Sequence, residues 1–323
     1  MTRRGMAAIV AALLLVALAA PGAVATESGQ FPMTIENCGR EVRIAQTPER
    51  VLAMGGEAGS LIWAAGAAGR ITTFAELEGE PLGPAEDALR AVPEILPAAD
   101  LGKEAIVGAQ PDVVITYGLN ETTFQELEEA GIQTLFVSGY CDGSGAPQSV
   151  GGFEPFEGIY ADIELYGQLF GTQDEAAQAV AGLQERVVAV EEEAQDIPEG
   201  SVAAALFVPD QGPLGGYGNR SMAHAQMEKL GYTNVFAGAG ERYFEPSVED
   251  LIAGDPDVLI ALYEAGQNTE QQAKAALLAR GEIGDVTAVR NQDVLVIDFF
   301  YTGHGVLAVD GLEIMAEQLA DLQ

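Results

Sequence analysis

The chain has 323 residues, 48% of them hydrophobic, which suits two domains of ordinary size with substantial cores. Its 49 acidic residues against 15 basic ones give a formal charge of −34. That excess repels polyphosphate backbones and anionic headgroups, so nucleic acid and an anionic lipid surface are excluded as expected partners.

The N-terminus reads as an export leader. Arg3 and Arg4 precede an apolar run from Met6 to Ala20, and Ala23-Val24-Ala25 fits a small-residue cleavage site. Residues 1–25 are therefore expected to be a signal peptide, with the mature chain starting at Thr26. The run is short for a membrane span, and no later segment approaches about 20 apolar residues, so the mature chain is not expected to cross a membrane. No cysteine follows the run to take a lipid anchor. The expectation is a free periplasmic or secreted protein, monomeric. Cys38 and Cys141 are then an even pair in an oxidising compartment, either two buried thiols or, as expected there, a disulfide closing about 100 residues. A metal site is not expected, because His224 and His304 are the only imidazoles.

Residues 33–155 read as an N-terminal α/β lobe. A strand-turn-strand opens it and ends at Pro48. Residues 50–54 read as a strand, Gly55-Gly56 as a turn, 58–68 as a helix and 69–73 as a strand. Residues 76–97, rich in Pro, Gly and acids, read as an irregular surface segment. Helix 104–109, strand 112–117, helix 121–130 and strand 134–138 follow, then a Gly/Ser/Pro loop over 139–155. This alternation indicates βαβ units and a largely parallel sheet.

Residues 156–197 read as helical. One helix, 158–170, stops at Gly171, and Thr172-x-x-Glu175 reads as a capping box for the next. Ala176, Val180, Leu183, Val187 and Val190 form an apolar stripe running toward Gln195. About 22 residues at 1.5 Å each make ~33 Å, enough to pass from one lobe to another.

Residues 198–323 read as a C-terminal α/β lobe: strand 201–209, glycine-rich loop 212–218, helix 222–230, helix 271–279, strand 293–299 and final helix 307–322. Within it one phrase returns. Glu104-A-I-V-G-A-Q-P-D-V-V-Ile115 reappears as Glu249-D-L-I-A-G-D-P-D-V-L-Ile260. In each a glutamate stands seven residues before Pro-Asp-Val. Two similar lobes imply a cleft between them. Ser247-x-x-Asp250 is itself a capping box, so acids at these helix starts have a sufficient reason in the helix dipole.

Catalytic patterns are missing. There is no G-x-S-x-G elbow, and the stretch 215–221 lacks both the lysine of a phosphate loop and the third glycine of a dinucleotide fingerprint. An enzyme is not the expected reading, and no cofactor is expected.

The order of motifs resembles the substrate-binding proteins of bacterial ABC importers for ferric siderophores, vitamin B12 and haem. The resemblance covers nearly all of the mature chain. It rests on Thr47-Pro-Glu-Arg-Val51, both Glu…Pro-Asp units, Leu230-Gly-Tyr-Thr-Asn-Val235, and the closing Ala288-Val-Arg290 and Val296-Ile-Asp298 with Asp310-Gly-Leu-Glu313. It implies two Rossmann-like α/β lobes joined by a single long interlobe helix, with the ligand cleft between them. It implies that Glu104 and Glu249 dock onto arginines of a permease dimer. Asn37-Cys-Gly39 with Cys141 resembles a subset that handles iron chelates.

Ligand contacts are expected from loops at the C-terminal ends of strands. These are Glu57, Tyr117 and Tyr140 in the first lobe, and Tyr217, Arg220, Arg242, Tyr243, Tyr263, Tyr301 and His304 in the second, with His304 expected to be exposed between two glycines. Tyrosines suit a bulky chelate, because the ring packs while the hydroxyl bonds. So few bases favour a near-neutral, hydroxamate-type ferric siderophore over a triply anionic one. Haem or a corrinoid on the same scaffold, and an exported enzyme or structural protein, are the alternatives.

Overall fold

The computed structural model describes residues 31–119, 124–141 and 154–322. The expected leader, the start of helix 121–130 and most of the loop at 139–155 lie outside the described residues.

The first strands, β1 (Met33–Asn37) and β2 (Arg40–Ile44), form an antiparallel hairpin. Ile35, Val42 and Ile44 point inward while Thr34, Glu41 and Arg43 face solvent, the period of two that a half-buried strand requires. Cys38 and Gly39 form its two-residue turn with φ of 53° and 73°, the positive values that match strand twist in a tight hairpin.

A five-stranded parallel sheet follows. Its elements are β3 (Val51–Met54), α1 (Gly55–Ala64), β4 (Ile71–Glu76), α2 (Glu86–Arg90), β5 (Glu94–Pro97), α3 (Lys103–Ala109), β6 (Val113–Thr116), α4 (Phe124–Glu129) and β7 (Gln133–Phe136). The strand order is β5-β4-β3-β6-β7. β3 and β6 are buried along their whole length, which is why they read as continuous apolar runs rather than alternations. The stretch 76–97 is not irregular throughout. It holds α2 and the edge strand β5, whose Glu94, Ile95 and Pro97 are too exposed and mixed to carry a periodic signal. The helix expected from residue 58 begins at Gly55, directly from the end of β3.

The second half comprises α5 (Pro155–Phe170), α6 (Gln173–Glu193), β8 (Val202–Phe207), β9 (Gly215–Tyr217), α7 (Met222–Lys229), β10 (Thr233–Asn234), β11 (Tyr243–Phe244), α8 (Val248–Gly254), β12 (Val258–Tyr263), α9 (Glu270–Leu278), α10 (Thr287–Asn291), β13 (Val294–Asp298) and α11 (Leu307–Leu322). Its sheet runs β11-β9-β8-β12-β13, with β10 pairing the start of β8. β8, β12 and β13 are parallel, and β9 pairs antiparallel with both β8 and β11. β9 lies where a glycine-rich loop was expected: Gly215 and Gly216 supply the flat backbone that Tyr243 and Pro246 pack against.

The repeated phrase folds the same way twice. α3 and α8 each have seven residues, and each buries an aliphatic anchor, Ile106 or Leu251, two positions after its glutamate; α3 also buries Ala109. Each ends on a left-handed residue, Gln110 (φ 51°) or Asp255 (φ 38°), before the proline that stops it.

The predicted stripe on α6 is its buried face: Ala176, Val180, Leu183, Val187 and Val190. The helix packs on α5 and α1 and on α7 and α11. Arg186 forks onto Glu313, with Nε at 2.8 Å and Nη2 at 2.5 Å, and Nη2 also meets Asp310 at 2.5 Å. The expected capping box at Thr172 is absent. Its hydroxyl donates to the carbonyl of Ala65 at 2.5 Å instead, tying the start of α6 to the end of α1. A capping box does form at Thr269–Gln272, before α9.

The hairpin is fastened to the outer strand β7. Asn37 donates to the carbonyl of Phe136 and accepts its amide, both at 2.8 Å. Cys38 and Cys141 are disulfide-bonded across a separation of 103 residues. Replacing both cysteines with serine should lower the unfolding free energy by about 2–5 kcal/mol, because the cross-link constrains the unfolded chain. Urea titration under oxidising conditions checks this; an unchanged midpoint would contradict it.

Candidate functional site

In the order β5-β4-β3-β6-β7 the connections leave β3 and β6 in opposite directions, opening a crevice at the carboxyl ends of the strands. A cavity of about 1000 Å³ sits there. Its wall is built from segments that follow strands: Glu57 after β3, Glu76 to Glu80 after β4, Ala98 and Ala99 after β5, Tyr117 after β6 and Tyr140 after β7. The second half closes it with Glu264 after β12, Phe299 and Phe300 after β13, and Arg242 just before β11.

Tyr140 is the point where these segments meet. Its hydroxyl donates to Glu57 Oε1 at 2.6 Å. Its ring lies 4.6 Å below the Arg242 guanidinium, 4.9 Å from the His304 ring and 5.9 Å from Tyr117. Burial drives the Tyr140 pKa well up, and the neighbouring Glu57 carboxylate adds to this, so the phenol stays a donor. Burial opposes the Arg242 charge, but Tyr140, Glu57 and Tyr217 together outweigh it and raise its pKa.

His304 is buried, at 1% exposure, which corrects the expectation that flanking glycines would expose it. The glycines serve close packing instead. A Cβ on Gly139 would fall inside the His304 ring, one on Gly303 would clash with Glu57 Oε1, and one on Gly305 would come 2.8 Å from Glu57 Cα. Burial, with Arg242 nearby, lowers the His304 pKa to about 3, so the imidazole is neutral.

Two carboxyls line the cavity floor. Glu57 sits in the first turn of α1, and burial raises its pKa despite the Tyr140 hydrogen bond and the charge of Arg242. Its Oε2 is buried and has no hydrogen-bond partner among the described residues. Glu80, at 6% exposure, accepts the Gly56 amide at 2.7 Å. Burial, with the adjacent Glu57 charge acting in the same direction, lifts its pKa to about 8. Only glycine at position 56 permits this approach, since a Cβ there would meet Glu80 Cδ at 2.9 Å.

Of the ten residues expected to contact ligand, Glu57, Tyr117, Tyr140 and Arg242 lie in the cavity wall. Tyr217 is buried behind it, edge-on to Tyr243 at 5.4 Å, and Tyr243 is half exposed. His304 underlies Tyr140. Arg220, Tyr263 and Tyr301 are partly exposed and outside the lining; the Tyr301 carbonyl accepts from Gln226 at 2.9 Å. Sequence reasoning missed Glu264, Phe299 and Phe300, which their position just past a strand end could have disclosed. It also missed Glu76, Glu78 and Glu80, in a stretch with no periodic signal. Among the described residues no group of three or more His, Cys, Asp or Glu could hold a metal ion, and no helix is long and apolar enough to cross a membrane.

Glu104 and Glu249 are both exposed, each in the first turn of its helix. Three residues on, Val107 and Ile252 are exposed at 39% and 43%, so each repeat presents a carboxylate beside an aliphatic side chain.

The Glu80 carboxyl makes stability depend on pH. From pH 6.5 to 8 the folded chain holds a proton that the unfolded chain has released, so stability falls as pH rises. Over those ~1.5 pH units the loss is about 2 kcal/mol, or roughly 5 °C in thermal midpoint. Asp162, lifted to about 7 by burial, adds to the lower part of the range. Melting curves at pH 6.5 and 8.5 should show the drop, and Glu80→Gln should reduce it; an equal drop in the variant would contradict the assignment.

The family model described as "Periplasmic binding protein" matches residues 52–300. Among solved structures, an ABC-type Fe3+-hydroxamate transport system protein from Saccharomonospora viridis is 34% identical, with a TM-score of 0.75, covering 89% of this chain and 99% of its own. The periplasmic heme-binding protein RhuT from Roseiflexus sp. RS-1 is 19% identical, with a TM-score of 0.67, covering 85% and 98%. The periplasmic vitamin B12 binding protein BtuF of Vibrio cholerae is 14% identical, with a TM-score of 0.64, covering 86% and 98%. These last two share the fold. Comparison with curated protein sequences finds no match. With its two α/β lobes, long linking helix and cavity at the strand ends, the chain belongs to the periplasmic binding protein family.

Proposed function

We propose that the protein captures a ferric siderophore of hydroxamate type outside the cytoplasm and delivers it to the permease of an ABC importer. The observation that carries this reading is the 34% identity, over nearly the whole of both chains, to a protein titled an Fe3+-hydroxamate transport system. The cavity supports it: Tyr117, Phe299 and Phe300 line it with aromatic surface for a bulky chelate, and Arg242 offers a donor to an anionic oxygen. The protein has no catalytic step on this reading. It works as a monomer, exported by the leader at residues 1–25, with lobes at 33–155 and 198–323 and the helical segment 156–197 between them.

Ferric hydroxamates should quench tyrosine fluorescence with micromolar or tighter affinity, whereas haemin and cobalamin should not. Trp63 lies in α1, partly buried against the apolar core and outside the cavity lining, so the tyrosine signal is the one to follow. Tight haemin binding with no hydroxamate response would overturn the assignment.

The two E-x-x-aliphatic faces suit a partner with two equivalent sockets, as a permease dimer has. Charge reversal at Glu104 and Glu249 together should abolish stimulation of the transporter ATPase in proteoliposomes while leaving chelate affinity unchanged. Full stimulation by the double variant would exclude docking through these residues.

A further inference from the structure

Two buried aspartates stand outside the cavity lining, one in each half, and each holds a turn that does line it. Asp162, on α5 and 4% exposed, accepts the Ser138 amide at 2.8 Å and bonds the Ser138 hydroxyl as well. Ser138 opens the short turn Ser138–Tyr140 after β7, and Tyr140 ends it against Glu57, Arg242 and His304. Asp298, the last residue of β13 and 7% exposed, accepts the Phe300 amide at 3.2 Å and also the Ala265 amide. The first bond caps the turn Phe299–Thr302, which brings Phe299 and Phe300 to the wall. The second holds the loop after β12, where Glu264 lines the cavity and the Ala265 carbonyl lies against Gly79 of the first half.

Neither carboxyl answers a counter-charge, since neither forms a salt bridge among the described residues. Tyr166, one turn along α5, is the titratable group that faces Asp162; Glu264, Tyr263 and Tyr301 face Asp298. Burial pushes Asp162 up to about 7 and, with Glu264 acting in the same direction, Asp298 to about 6, while the hydrogen bonds from the turns pull both down. A bond that favours the ionised acid is, by linkage, strengthened when the acid ionises. An amide bond to a carboxylate is roughly twice as strong as one to a neutral group. A buried carboxyl without a base beside it is costly to keep, and what each of these two secures is the place of a wall-bearing turn.

We propose that Asp162 and Asp298 are positioning residues for the ligand: ionised, they hold the Tyr140 turn and the Phe299–Phe300 turn in the geometry that receives a chelate, without touching it themselves. This rests on the hydroxamate reading above and adds a dependence of affinity on pH. As pH falls through about 7 and then 6, the two acids take up protons, their grip on the turns weakens, and fewer chains present the complete wall. The sign separates positioning from general stability. Raised carboxyl pKa values make the fold less stable as pH rises, whereas turns held by ionised acids make affinity rise over the same range. An effect on the whole fold would move affinity and stability together.

The test measures affinity of the full mature chain for ferrichrome and ferrioxamine B, two ferric trihydroxamates whose charge stays constant from about pH 5.5 to about pH 7.5, and records melting midpoints alongside. Wild-type affinity should rise about fivefold over that range while the midpoint does not rise. Asp162→Asn with Asp298→Asn keeps size and an acceptor oxygen but no charge; it should bind about fivefold more weakly at the upper pH and lose most of the pH dependence. Glu57 and Glu80 are present in both proteins, so the difference between the two profiles is the share of the aspartates. Should the double variant not fold, Ser138→Ala decides: it removes one of the bonds at Asp162 from a partly exposed position, and should cost about threefold in affinity at the upper pH and less at the lower. A wild-type affinity that is flat or falls with rising pH, or a variant that keeps the wild-type profile, overturns the positioning role and leaves the hydroxamate reading standing. A wild-type chain that binds neither complex overturns the two together.

Discussion

The ring of Tyr140 is the contact on which the cavity depends. Its hydroxyl is committed to Glu57, a carboxyl of its own half, while its faces and edges meet Arg242 and His304 from the other. A buried phenol needs a hydrogen-bond acceptor, which Glu57 supplies, and a buried guanidinium needs negative or π-electron density, which the Tyr140 ring supplies to Arg242. The disulfide bears on the same place. Cys141 follows Tyr140 directly, so the bond that pins the hairpin to β7 also fixes the end of the short turn that carries the ring.

Close approach of the two halves is arranged through glycine. Gly79 faces the backbone of Ala265, Gly83 faces Leu307, Gly139 faces His304, and Gly303 and Gly305 face Glu57. At Gly79 and Gly305 a methyl group would run into backbone of the other half, and at the other points into its side chains. The result places carboxyls where water is scarce, which is why Glu80 holds its proton to about pH 8. The cavity's acidity and its tight closure therefore have one cause. α6 ties the halves together: its apolar stripe packs on α5 while Arg186 pairs with Asp310 and Glu313 of α11.

Much of this was legible in the sequence, for particular reasons. The α6 stripe matched its buried face residue for residue, because a long amphipathic helix repeats its signal several times. The duplicated phrase disclosed two like halves because both copies must form the same helix, left-handed cap and buried strand. Strand β5 and the glutamates after β4 were hidden, since an exposed edge strand has no inward run to detect. Asp310 and Glu313 were recognised as a motif, but their tie to Arg186 was not, because an ion pair across 124 and 127 residues leaves no local mark. His304 misled for a related reason. Glycines on both sides of a residue can mean an open loop or a crowded one, and only the neighbours decide.

The two halves repeat one another where their outer faces agree and diverge where the cavity lies. α3 and α8 match in length, left-handed C-terminal cap, buried anchor and exposed E-x-x-aliphatic edge. The strand-end loops match in none of these: the first half brings Glu57, Tyr117 and the acidic segment after β4, and the second brings Arg242, Glu264 and paired phenylalanines. A partner built from two equal subunits would keep a pair of faces alike, since a change on one side alone breaks the fit. A small ligand has no such symmetry and is held by whichever groups its two ends need. Duplication thus accounts for the scaffold and the outer faces, and it breaks down at the strand ends, the surface to which the proposed function assigns the ligand.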